Sequence, residues 1–451
     1  MQIINPYNKE VITTVETDTQ TSITEKFNLA KTAQKDWATT SVDQRVEVIK
    51  KFCTLLQENA NEVATTLTNE MGKPLSESLG EINGAIYRTN FFIESVKETT
   101  ADKHVHDDGT TKEVLRYEPL GVISNISAWN YPLLVGVNVF IPALLTGNAV
   151  LYKPSEYTTL TGIKIAELLK DAGLPSDVLQ VIVGKGDVGN LLTDLPVDGV
   201  FFTGSYKTGN AIYQKLAPKM IPVGLELGGK DPMYITDEFA DLKLAAASIL
   251  EGAFYNNGQS CCAVERVYAH EKIYPQLLEE VKAQFKNISV GNPMEEGISH
   301  GPIARPEHVS FLNAQVNEAT EKGAQVLCQY SEVPEGFFPP TVLTEVTHDM
   351  SVMIDESFGP IIGIQKVSSD EEAIQLMNDT EYGLTSSVYT DNEGRGQDIL
   401  MKINSGTGYL NCCDRVSPYL PWAGRGYSGV GLTLSTHGIH TFCKTKSIHL
   451  R

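Results

Sequence analysis

Two kinds of apolar spacing divide the chain. Up to about residue 98, apolar positions recur every three or four residues, with Val46, Val48, Ile49, Phe52, Leu55 and Leu56 along one face. That period predicts helices over 24–37 and 42–70, and a further one to about residue 98 after the break at Gly72-Lys73-Pro74. Residues 101–110 are polar and rich in His and Asp, and read as a connector. Residues 111–117 alternate, which predicts an exposed or intersubunit strand.

From Gly121 the pattern changes. Short apolar runs at 122–126, 149–154, 179–183 and 199–204 alternate with helical stretches such as that through Pro142-Ala143-Leu144. Strands that are apolar on both faces need helices on both sides, so a parallel sheet is expected, the usual home of a dinucleotide. A second series starts near Glu226 and runs to about residue 430, with strands at 266–269, 361–364 and 386–389. A tail strand is expected over 441–448. The fold class is therefore α/β, with two Rossmann-like parallel-sheet lobes and small flanking elements.

Length and composition narrow the function. At 451 residues the chain exceeds one compact core, and its 41% hydrophobic and 20% charged residues are those of an ordinary soluble globular protein. A net charge of −20 argues against nucleic acid or an anionic membrane as partner, though one local lysine can still serve a nucleotide. No apolar run approaches the roughly 20 residues of a bilayer span, and Met1–Pro6 lacks the layout of a signal peptide. The seven cysteines form adjacent pairs at 261–262 and 412–413 but no C-x-x-C, so neither a disulfide framework nor a zinc site is indicated. The histidines show no ligand spacing, and no metal is expected. A cytoplasmic location fits.

Two segments carry candidate chemistry. Tyr255-Asn256-Asn257-Gly258-Gln259-Ser260-Cys261-Cys262 offers a thiol on a glycine-preceded turn, and Leu225-Glu226-Leu227-Gly228-Gly229-Lys230 offers a carboxylate beside two glycines. A nucleophile and a general base are what a covalent, hydrolysed intermediate needs. Taken singly, the thiol reads as a small buried hydrophobe and the carboxylate as a surface group at a strand end. Together with Ala128-Trp129-Asn130-Tyr131-Pro132, they resemble the aldehyde dehydrogenase superfamily from about Asn5 to the C-terminus.

That resemblance implies an NAD-dependent, non-acylating oxidation of an aldehyde. Cys261, two residues after Gln259, would be the nucleophile and Cys262 its structural neighbour. Glu226 would activate the water that hydrolyses the thioester, and the Asn130 amide with the Cys261 N–H would bind the oxyanion. For the cofactor, Gly184-Lys185-Gly186-Asp187-Val188-Gly189 matches G-x-G-x-x-G, but no acidic residue ends a following strand as that fingerprint demands. The better phosphate turn is Phe202-Thr203-Gly204-Ser205, at a strand-to-helix junction. Lys153, Ser155 and Glu156 match the segment that holds the adenosine ribose, where a carboxylate favours NAD over NADP. Trp129, Glu356 and Phe358 complete the implied cofactor contacts. Residues 1–104 with 121–225 would bind NAD, 226–432 would carry catalysis, and 105–120 with 433–451 would join subunits into a homodimer or homotetramer.

The chain also departs from the family. Val139 and Thr433 stand where members often carry a Lys and a Glu of a proton path behind the base. Asn138 stands where semialdehyde-oxidising members often place an Arg, which leaves Arg415 as the loop candidate for an anion clamp. The usual Pro-Phe-Gly-Gly-x-Lys is altered to Pro421-Trp422-Ala423-Gly424-Arg425-Gly426, so an unusual substrate preference is expected. A semialdehyde-specific dehydrogenase is one alternative reading. A CoA-acylating dehydrogenase, a nicotinamide-independent cysteine hydrolase and a non-catalytic protein on this fold are the others. The carboxylate at Glu226, the lack of a His partner for the thiol and the intact Cys261, Glu226 and Asn130 set count against them in turn.

Overall fold

The computed structural model describes all 451 residues. The N-terminal third is helical, as the spacing predicts. Helix Gln20–Thr39 starts at a reciprocal cap between Thr19 and Ser22, and Val42–Glu58 at one between Ser41 and Gln44. The stretch predicted as one helix over 42–70 is two. Asn59 interrupts it by turning its side-chain amide back onto the Leu55 carbonyl at 2.7 Å, and Ala60–Met71 restarts beyond it. Gly72, at φ +85, stops that second helix in a left-handed turn, and Leu75–Thr99 follows.

The connector expected over 101–110 is corrected by the structure. Lys103–Asp107 is a strand, paired antiparallel with Lys112–Pro119, and all five of its residues are exposed. With neither face buried it carries no apolar alternation, which is why the spacing misses it. The tail strand Cys443–Leu450 pairs along the other edge of Lys112–Pro119, making a three-stranded sheet. A hairpin of Gln2–Ile4 with Val11–Thr14 was likewise not anticipated.

The first large sheet has strand order 429–430, 223–226, 199–203, 122–126, 149–153, 179–181, parallel except for the first. In chain order this is the doubly wound arrangement, with its switch point between Val122–Ile126 and Gly199–Thr203. The second sheet runs 325–329, 341–344, 361–367, 264–270, 231–235, 385–389, 407–410, antiparallel only at 325–329. No helix is long and apolar enough to cross a membrane.

A single core of 58 buried residues joins the N-terminal helices to the first sheet and continues to Cys262. Two further clusters cover the two faces of the second sheet. Glu226 ends a strand of the first sheet, and Cys261 lies just ahead of a strand of the second. The two candidate groups therefore face each other from different lobes.

Candidate active site

One cleft of about 900 Å³ lies between the lobes, at the switch point. Its lining includes Trp129, Asn130, Lys153, Ser155, Glu156, Gly204, Ser205, Glu226, Cys261, Glu356 and Phe358, the residues singled out in the sequence. Gly186 and Gly189, from the G-x-G-x-x-G segment, line it as well.

The turn that presents Cys261 is held in an uncommon conformation. Asn256, Asn257 and Gly258 have φ of +54, +56 and +67 in succession, a region that Asn and Gly tolerate best. Their side chains fix the turn from within and without. Asn256 Nδ2 donates to the Gln259 carbonyl at 3.1 Å, and Asn257 Nδ2 donates to the Gly301 and Pro302 carbonyls. Gln259 Oε1 accepts from the Ala304 N–H at 3.0 Å. A Cβ on Gly258 would run into the Gly359 carbonyl. Gly258→Ala is therefore expected to destabilise the protein by about 2–4 kcal/mol from combined overpacking and backbone strain. Gly109→Ala, with positive φ but open space around it, should cost about 1 kcal/mol. Urea unfolding midpoints check the difference.

The two adjacent thiols differ in setting. Cys261 is partly exposed and lines the cleft. Cys262 is buried, and its thiol donates to Asp414 Oδ1 at 3.0 Å. The adjacent Cys261 thiol, then burial and the Asp414 carboxylate, push the Cys262 pKa well above the usual thiol range. Cys262 is thus kept as the thiol, and Cys261 is the thiol that the cleft reaches.

Asn130 follows strand Val122–Ile126 and is fixed through its backbone. Its carbonyl accepts from Lys73 Nζ at 2.8 Å and from Asn256 Nδ2 at 3.1 Å. Lys73 is itself fully buried against Glu81 at 2.5 Å and lies 4.0 Å from the Tyr131 ring centroid. Glu81 in turn accepts from the Leu133 N–H at 2.8 Å, at the start of helix Pro132–Leu145. The Asn130 side-chain amide and the Cys261 N–H have no acceptor within the chain. Two such free donors beside a thiol are suited to holding a negatively charged oxygen.

Glu226 accepts a hydrogen bond from the Thr433 hydroxyl. Burial pushes its pKa up to about 7, against the opposing effects of Thr433 and of Arg88. Such a carboxylate can take a proton from water near neutral pH. Val139 is buried in the first-lobe core, so no charge stands behind the base from that position.

The opposite arm of the cleft fits a dinucleotide. The Lys153 ammonium is buried, and its single hydrogen bond is to the Pro154 carbonyl at 3.3 Å. Gly204 leads into helix Tyr206–Leu216, capped by Ser205, so the helix start lines the cleft with N–H groups that suit a phosphate. Glu356 accepts from the Gly229 N–H at 3.0 Å, and a Cβ at Gly228 would collide with its carboxylate. The turn after Glu356 is locked by Glu265, which accepts from the Ser357 and Phe358 N–H groups at 2.7 and 2.9 Å and pairs with buried Lys230 at 2.6 Å. Phe358 stands edge-on to Trp129, with ring centroids 5.4 Å apart. A glycine-lined cradle, a helix N-terminus and an under-bonded buried ammonium match a nucleotide with a pyrophosphate and ribose hydroxyls.

Sequence reasoning missed the charged groups beyond Cys261. Arg88 is 8% exposed, and its Nη1 donates to Asn138 Oδ1 at 3.2 Å. Asp414 reaches Cys262 from the loop after strand Thr407–Leu410. Arg415, the expected anion clamp, instead turns outward to Glu251 at 3.4 Å.

The aldehyde dehydrogenase family description matches residues 1–448. Peroxisomal aminoaldehyde dehydrogenase 2 of Pisum sativum is 33% identical over 99% of this chain and 91% of its own length. Succinate-semialdehyde dehydrogenase (NADP+) of Mycobacterium leprae strain TN is 32% identical over 99% and 98%. The solved structure of 3,6-anhydro-L-galactose dehydrogenase in complex with NAP superposes with a TM-score of 0.95 at 33% identity, covering 100% of this chain and 96% of that one. With a cleft that joins an accessible thiol, a carboxylate and a nucleotide cradle, and with these likenesses along its whole length, the chain belongs to the aldehyde dehydrogenase family.

Proposed function

We propose that the protein oxidises an aldehyde to the carboxylic acid through a covalent intermediate on Cys261. The observation that carries this reading is the convergence of Cys261, Asn130 and Glu226 from three separate segments on one cleft. Cys261 as thiolate attacks the aldehyde carbon, and the Asn130 amide and Cys261 N–H take up the charge on oxygen. A nicotinamide dinucleotide, when bound, supplies the hydride acceptor. Trp129, Lys153, Ser155, Glu156, Gly204, Ser205, Glu356 and Phe358 would hold and orient it. Glu226 then takes a proton from the water that opens the thioester, which releases the acid and frees Cys261.

Glu156 in the cleft disfavours a 2′-phosphate, which supports NAD over NADP. The exposed three-stranded sheet ending at Lys103–Asp107 supports a homodimer or homotetramer, since its free edge can pair with another chain. Seven free thiols suit a reducing compartment such as the cytoplasm. The reading is tested by nicotinamide reduction over a panel of aldehydes, with NAD or NADP and with or without CoA. Turnover that needs no CoA supports it. Turnover only with CoA would point to the acylating alternative.

Thr433 gives the reading a pH signature. Glu226 acts deprotonated, so turnover limited by hydrolysis rises with pH through about 7. The Thr433 hydroxyl lowers the Glu226 pKa. Thr433→Val is therefore expected to move the acid limb of the kcat profile to higher pH. An unmoved limb would show that Thr433 does not support the base during turnover.

A further inference from the structure

Arg88 and Asp414 come from two segments that touch beside the nucleophile. Tyr87 and Phe91, flanking Arg88 on helix Leu75–Thr99, pack edge-on against Tyr419 from the Asp414 loop, with centroids 6.4 and 5.1 Å apart. Asp414 itself contacts Cys262, the residue after Cys261.

Each charge is held apart from the other. Arg88 Nη1 donates to Asn138 Oδ1 at 3.2 Å and to the Leu134 carbonyl at 3.4 Å, while its Nε and Nη2 donate to nothing in the protein. Asp414 Oδ1 accepts from the Cys262 thiol, and Oδ2 accepts nothing. They form no ion pair with each other, yet each lies within the other's field. A recessed guanidinium with free donors near a half-satisfied carboxylate is an expensive arrangement if nothing binds there. A direct ion pair would satisfy both, but each takes a neutral partner on another segment instead.

Ligand chemistry follows from the two signs. A tail bearing only a carboxylate would gain Arg88 and be repelled by Asp414, and a tail bearing only an ammonium would meet the reverse. A tail bearing both gains at each end, with the guanidinium taking a carboxylate through two donors. Resting on the aldehyde-oxidising reading above, we infer that Arg88 and Asp414 form a distal subsite for an aldehyde that ends in an α-amino-carboxylate group. Arg88 binds the carboxylate and Asp414 the ammonium. Asn138 positions Arg88, so the guanidinium is carried by helix Leu75–Thr99 and not by position 138.

Calorimetric binding of four product-like acids tests the subsite without turnover: hexanoate, adipate, 6-aminohexanoate and 2-aminoadipate. In the wild type 2-aminoadipate should bind about tenfold or more tighter than the other three. Arg88→Met should erase its advantage over 6-aminohexanoate, and Asp414→Asn its advantage over adipate. If Arg88→Met does not fold, Arg88→Lys should reduce the first advantage, and the isosteric Asp414→Asn still reads the second. Equal affinities in the wild type, or an advantage that survives removal of its partner, would overturn the subsite. A parallel nicotinamide-reduction assay separates the two levels. Turnover with no binding preference removes the subsite alone, and the binding preference with no turnover of any aldehyde removes the proposed reaction alone.

Discussion

Cys261→Ala should lower kcat/KM for aldehyde oxidation by about 10⁴-fold or more, as loss of a covalent nucleophile does. Dinucleotide binding and the unfolding midpoint should persist, because Cys261 is partly exposed and its turn is fixed by Asn256, Asn257 and Gln259. The adjacent thiol gives the contrast. Cys262→Ala removes the donor to Asp414 and should act mainly on KM, since Cys262 is buried and kept protonated. Steady-state kinetics of the two variants, with a fluorescence titration of dinucleotide, read both expectations. Comparable losses of kcat in the two would mean that the neighbouring thiol shares the chemistry.

Glu226→Gln should divide the reaction in time. The amide keeps the size and can still accept from Thr433, but it cannot take a proton from water. Removing a positioned base costs about 10²–10⁴-fold in the step it serves. One equivalent of reduced nicotinamide should therefore form rapidly in stopped flow, followed by turnover slowed to that extent. In the wild type the slow phase should quicken with pH through about 7, where Glu226 gives up its proton. In the variant that limb should vanish. Loss of the rapid phase itself would place Glu226 before thioester hydrolysis.

Most of the fold was legible because its large sheets are covered on both sides. Val122–Ile126 and Ala149–Lys153 are buried at every position, and their mostly apolar residues stand out from the helical spacing around them. Lys103–Asp107 is exposed at every position and leaves no such trace. The break at Asn59 depends on one side-chain amide capturing a carbonyl of its own helix, which spacing does not report. The residues picked for the site share one cleft because each sits in a local motif at a strand end. Their supports were not legible, since these act across the chain. Lys73 reaches the Asn130 carbonyl, and Glu265 reaches the turn at Ser357 and Phe358. Glu70, in a Glu-Met-Gly-Lys-Pro segment that says nothing of substrate, accepts from the Leu160 and Thr161 N–H groups at the start of helix Thr159–Asp171. The loop at 414–415 shows the limit most clearly. Two consecutive charged residues point to opposite sides, so that Asp414 meets Cys262 and Arg415 meets Glu251.

The most direct test of covalent catalysis is intact-mass and fragment-ion analysis of the Glu226→Gln protein after one turnover with an oxidised dinucleotide and an accepted aldehyde. The expected result is one acyl group, localised to Cys261 and absent when the dinucleotide is omitted. An acyl group on Cys262, or a nicotinamide reduced with no adduct on any cysteine, would contradict the assignment of Cys261 as the nucleophile.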